Sequence, residues 1–346
     1  MAGELKLGLN TGYWAGGPPP GVEESIAEAE RLGFDSIWTA EAYGSDCLTP
    51  LAWWGAKTER IKLGTAIVQM SARQPAATAM AAMTMDILSG GRFQLGLGVS
   101  GPQVVEGWYG MPFAKPLART REYIGILRDI WARNGPVTAE GEHYQLPLPG
   151  GTGLAKPLKS SIHPLREDIP VYLGAEGPKN IALCAELCDG WLAMLFSPSQ
   201  QDVYKGYLQE GFSRPGARRS LEDFQVNATV PLIVSDDLDA AADSLRPFYA
   251  LYFGGMGAKG TNFHANVAIR MGYEREVDEI AELYLQGKKD EAGAKVPRGL
   301  IEELSLIGPK EKIRDDLERW RESIVTTLLL SGDAATLRTA AELVLG

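Results

Sequence analysis

The sequence predicts an α/β protein in which eight strand-helix units close into a (β/α)8 barrel, with an open doubly wound sheet as the runner-up. Three observations predict it. Short β-branched or apolar runs alternate with longer segments of helical spacing along the whole chain. Eight strand-like runs can be counted, the number a barrel needs. The chain has 346 residues and is 45% hydrophobic, enough for one barrel of average size with insertions.

The elements follow in order. Residues 5–9 are the first strand. Val22, Ile26 and Ala29 lie at helical spacing before a Leu32-Gly33 stop, and residues 34–38 form the second strand. A helix at 48–57 precedes the strand 61–68. A helix opened by Pro75 carries Met80, Met83, Ile87 and Leu88, and 92–97 is the fourth strand. From about 99 to 168 the rhythm breaks. A helix near 117–131, a small hairpin at 137–144 and a Pro/Gly/Lys-rich stretch read as an insertion. Strands resume at 170–174, 190–195 and 224–234. A mainly helical excursion at about 240–304 separates the seventh strand from the eighth, at 326–330, and Ile313, Leu317 and Trp320 mark the helix before that last strand. Residues 1–346 read as one domain.

The net charge of −10, from 34 basic and 44 acidic residues, gives a long polyanion a repulsive field and argues against nucleic acid as a partner. A compact anion can still be held locally by backbone N–H groups and one Lys. The start Met1-Ala2-Gly3-Glu4-Leu5-Lys6 lacks signal-peptide character and no apolar run reaches membrane-spanning length, so a cytoplasmic protein without membrane insertion is expected. Three cysteines do not make a disulfide framework. Cys184 and Cys188, four apart on a helix, read as buried packing residues, and no metal site is expected.

Two loops carry anion-binding chemistry. Gly96-Leu97-Gly98-Val99-Ser100-Gly101 matches a dinucleotide pattern, but it follows the fourth strand rather than the first and runs into Pro102-Gln103. Its chemistry survives the misplacement, because glycines admit close backbone approach and Gly98, Val99, Ser100, Gly101 and Gln103 can cradle a phosphate. Gly174, Ala175, Glu176, Gly177, Pro178 and Lys179 form the second loop. Pro178 suits a first helical position, and Lys179 in the first turn opposes the helix dipole unless an anion sits there. An ordinary strand-to-helix turn with a solvated Lys is the plainer account.

The run Leu63 to Met70, then Arg73-Gln74-Pro75 and Leu88-Ser89-Gly90-Gly91-Arg92, resembles the luciferase-like flavin and deazaflavin oxidoreductases over nearly the whole chain. Residues 39–45 and 100–110 look most like the branch that uses coenzyme F420, a 5-deazaflavin. The resemblance implies a TIM barrel of the bacterial-luciferase-like type, a homodimer and a small-molecule substrate. It further implies a cis peptide at Ala66-Ile67 behind the cofactor ring, with the two loops holding the cofactor phosphate. Relatives that oxidise a phosphorylated sugar place Asp-His at the end of strand two, where this chain has Glu41-Ala42. The usual imidazole base is missing, which leaves Glu41 as the candidate acid or base or as a carboxylate that only braces the loop. Asn10, Thr11, Tyr13 and Trp14 follow strand one and are candidates for the substrate mouth, as is Arg298 for an anionic substrate. His143, His163 and His264 read as loop or surface residues. The leading expectation is hydride transfer between F420 and an organic substrate. A flavin mononucleotide monooxygenase, a non-catalytic flavin carrier and a metal-dependent or sugar-phosphate barrel enzyme are the rivals.

Overall fold

A computed structural model describes residues 4–257 and 262–346. Eight parallel strands make a closed barrel: β1 (Lys6–Asn10), β2 (Ser36–Thr39), β3 (Lys62–Thr65, resuming at Val68–Gln69), β4 (Phe93–Gly98), β5 (Val171–Gly174), β6 (Gly190–Ala193), β7 (Gln225–Thr229) and β8 (Thr327–Leu330). Each pairs with the next, and Lys6 opposite Thr327 joins β1 to β8 and closes the ring.

Alternation along the strands decides what fills the barrel. Leu7 and Leu9 point outward into the main core with Ile26, Leu51, Leu127 and Leu317 of the surrounding helices. The inside holds Trp38, Tyr172, Leu192 and Leu329, with Ala66 and Ile67 packed on them. These large side chains need small neighbours. A β-carbon at Gly64 would stand 2.3 Å from the Trp38 ring, and one at Gly190 would stand 2.3 Å from Tyr172.

The first insertion is fastened by side chains. Glu122 of the helix Pro116–Ala132 accepts from the backbone N–H groups of Glu142, His143 and Tyr144, docking a two-stranded ribbon (Ala139–Glu140 with Gln145–Leu146). The seventh strand is shorter than its sequence run suggests. It stops before Val230-Pro231, and Leu232–Val234 leaves the barrel to pair with Leu306–Gly308, a bridge that carries the helical excursion. That excursion, helices from Leu238 to Leu304, has its own apolar core around Tyr249, Phe253, Ile280 and Leu300. Cys184 and Cys188 are buried and unbridged. Among the described residues, no helix is long and apolar enough to cross a membrane.

Candidate active site

The strands are parallel, so the residues just after β1 to β8 meet at one end of the barrel, the usual place for chemistry in this architecture. Three of the expected elements converge there. The Ala66-Ile67 peptide is cis and interrupts β3. A β-carbon at Gly98 would lie 2.7 Å from Cδ1 of Ile67, and one at Gly174 would lie 3.3 Å from its Cγ2. Ile67 is therefore clasped between the ends of β4 and β5, and only glycine at 98 leaves room for it.

The loops that follow present backbone. Ser100 has φ 58°, a left-handed conformation that few side-chain-bearing residues adopt, and Gly101 and Gln103 run from it into the short helix Pro102–Gly107. Gly177 precedes the helix Pro178–Leu187, with Pro178 at its first position and no side chain capping its N–H groups. Lys179 is exposed, and Asn180 bonds Gly174 while its Oδ1 is buried without a partner among the described residues.

Other expected residues are placed differently. Glu41 is buried, and both its carboxylate oxygens stand 2.7 Å from Nη1 of Arg73. Oε2 also accepts from the Gln69 backbone N–H at 3.0 Å. Burial works against the Arg73 charge, but its bonds to Glu41 prevail and raise its pKa. Glu41 thus braces β2 against the end of β3, and a role as a mobile proton carrier does not fit a carboxylate held this way. Asn10 accepts from the Gly12 N–H, and Thr11 donates to the Trp38 carbonyl, so both stitch loops together. Trp14 packs on Trp54 with ring centroids 6.1 Å apart. It lines a cleft of about 960 Å³ with Pro18, Asp46 and Trp53, to which neither glycine loop contributes. Arg298 is paired with Asp239 and Glu302 on the surface of the helical excursion.

Tyr13 of the strand-one group lies within electrostatic reach of Glu176 in the second loop. It is half exposed, yet the protein surrounding its hydroxyl raises its pKa, helped by Tyr43 and Glu176. Sequence reasoning missed its neighbours. His264, expected on the surface, has Nδ1 2.6 Å from Oε1 of Glu176 and meets Tyr252 edge to face at 4.8 Å. Arg270 donates to the Glu176 carbonyl. Glu176 was expected only as part of the second phosphate loop, and no local pattern flagged His264, Tyr252 or Arg270, since 88 positions separate His264 from Glu176.

Comparison with known proteins places this arrangement. The family model for luciferase-like monooxygenase matches residues 8–327. The chain belongs to that family. It is 55% identical over 99% of its length, and 100% of the relative's, to the "Putative coenzyme F420-dependent oxidoreductase Rv3520c" of Mycobacterium tuberculosis. A 5,10-methylenetetrahydromethanopterin reductase of Archaeoglobus fulgidus is 32% identical over 68% of this chain and 66% of its own. The solved structure of a coenzyme F420-dependent tetrahydromethanopterin reductase from Methanopyrus kandleri superposes with a TM-score of 0.81 at 24% identity, covering 99% of each chain, and so shares the fold. The barrel and the family expected from the sequence both stand.

Proposed function

We propose that this family member is a coenzyme F420-dependent oxidoreductase that exchanges a hydride between the deazaflavin and a small organic substrate, in a barrel mouth lacking the Asp-His pair. The observation that carries the reading is Ile67, clasped between two glycine loops of phosphate-binding character. Identity of 55% to a relative named as F420-dependent, along the whole of both chains, supports the choice of cofactor.

The residues present fit such a group. Ala66 and Ile67 offer a flat apolar backing, while the N–H groups of Val99 to Gly101 and the uncapped start of Pro178–Leu187 offer donors to a phosphate. Lys179 adds an exposed charge, and the Oε1 of Gln69 and Oδ1 of Asn180 are buried with no partner among the described residues. The bound deazaflavin would supply two-electron chemistry, and the protein supplies position and electrostatics.

Fluorescence titration of the purified protein with F420 tests this, and saturable binding is expected. Tight binding of flavin mononucleotide with none of F420 overturns it in favour of a monooxygenase, and binding without turnover across a broad substrate screen favours a carrier. The homodimer is proposed on the exposed apolar groove shared by Trp53 and Leu88 on neighbouring helices. Light scattering should give twice the chain mass, falling to one mass in a Trp53→Ser, Leu88→Glu variant.

A further inference from the structure

We propose that His264, held by Glu176, is the proton-transfer group of this active site and supplies from the helical excursion the imidazole that strand two lacks. The inference rests on the deazaflavin reading above.

Glu176 follows β5, inside the second glycine loop, and its side chain is only 10% exposed. One carboxylate oxygen faces Nδ1 of His264 at 2.6 Å, while the other is buried with no hydrogen-bond partner among the described residues. The approach of Nδ1 is off the ideal hydrogen-bond direction. Nδ1 itself is also buried with no hydrogen-bond partner among the described residues, so the two atoms stand at contact distance and a small turn of the ring would let Nδ1–H donate. A carboxylate spent only on structure would have both oxygens satisfied, because burying an unpaired acceptor costs about 1–3 kcal/mol.

Glu176 belongs to a loop at the strand-end mouth. Burial raises the phenol pKa values of Tyr13 and Tyr252, and the Glu176 charge adds to both, which places the carboxylate within electrostatic reach of loops from β1 and from the excursion. Tyr204, pushed up to about 12 chiefly by burial, faces it from a third side, and Arg270 bonds its backbone carbonyl. Tyr252 lies on a π-helical turn, Leu251–Gly255, and its ring fixes the plane of the imidazole.

The chemistry follows from the tautomer. With that bond formed, Nδ1 would carry the proton and Nε2 would present the lone pair. The bound deazaflavin would supply the acceptor for a hydride from an alcohol carbon. The part of this chain is the proton, which would pass from the substrate O–H to Nε2 as the electrons of that bond form the carbonyl, with Glu176 beside the ring. In the ketone direction His264 would return that proton to the oxygen. Glu176 is the positioning residue of the pair.

Long-range proton–nitrogen spectra of isotope-labelled protein test this without a known substrate, since the chain has only three histidines. The His264 ring should show protonated Nδ1 and bare Nε2, its signals should move when F420 is added, and those of His143 and His163 should not. Glu176→Gln should mix the tautomers and Glu176→Asp should restore them. A bare Nδ1, or His264 signals unmoved at saturating F420, overturns the proposal. Failure of F420 to bind at all defeats the cofactor reading instead, and shows as absent fluorescence change. His264→Asn should still bind F420 within about threefold of the wild type, while hydride transfer to a ketone or from an alcohol that the wild type turns over falls about 10²–10⁴-fold. An undiminished rate also overturns it.

Discussion

Replacing Arg73 by Met strips the buried Glu41 of its countercharge while keeping most of the side-chain volume. The carboxylate then loses two contacts of 2.7 Å and keeps one, from the Gln69 N–H. Removing one partner of a buried ion pair costs about 3–5 kcal/mol. The surviving bond and the partial exposure of Arg73, 22%, favour the low end, ~3 kcal/mol. An unfolding entropy of roughly 2.1 cal/mol/K per residue gives about 0.7 kcal/mol/K for a chain of 346 residues, so Tm should fall by about 4 °C. Scanning calorimetry reads this directly. The double variant Arg73→Met, Glu41→Gln should recover most of the loss, because the unpaired charge is gone, and it should still transfer hydride if Glu41 only braces the loop. A single variant as stable as wild type, or a double variant no better than the single, refutes the bracing argument. Loss of hydride transfer in a double variant that folds and binds F420 restores Glu41 to the chemistry.

Gly96→Ala should be severe, because its β-carbon would stand 1.8 Å from the Thr65 carbonyl oxygen, which is backbone and cannot step aside. A drop of about 3 kcal/mol or more in urea unfolding, or insoluble protein, is expected. Lys179→Ala should weaken F420 binding about 3–10-fold, the more so at low salt, and change stability by no more than about 0.5 kcal/mol. Alkaline unfolding should begin above about pH 10. Burial pushes Tyr204 up to about 12 and raises Tyr123, Tyr172, Tyr249 and Tyr252 further. Their folded pKa values exceed the unfolded one, so their contribution is complete below about 10 and is lost as pH rises through the folded values. Tyrosinate absorbance should therefore rise in step with loss of the circular dichroism signal, and free ionisation of these phenols in folded protein would contradict it.

The barrel was legible because strand alternation, helix starts at Pro75 and Pro178 and the stop at Gly33 are local properties of the chain. The seventh strand was overrun, since Val230-Pro231 does not look different from a strand interior until a partner is known: β6 and β8 flank β7, but only Leu306–Gly308 receives Leu232–Val234. Two glycines of the apparent dinucleotide motif also have packing reasons that spacing does not show. Gly96 is glycine because Thr65 crosses it, and Gly98 because Ile67 does, so spacing that mimics a ligand loop is partly barrel packing.

By itself the sequence determined the barrel, the family and the segments proposed to hold the cofactor, because each is encoded in contiguous residues. Tertiary structure alone decided which polar side chains are spent and which are free. It tied Glu41 to Arg73, turned Trp14 aside onto Trp54 and left Arg298 on the surface with Asp239. It also brought His264 to Glu176. The physical reason is that a carboxylate or an imidazole takes its character from the partner within about 3 Å, and that partner comes from wherever the chain returns.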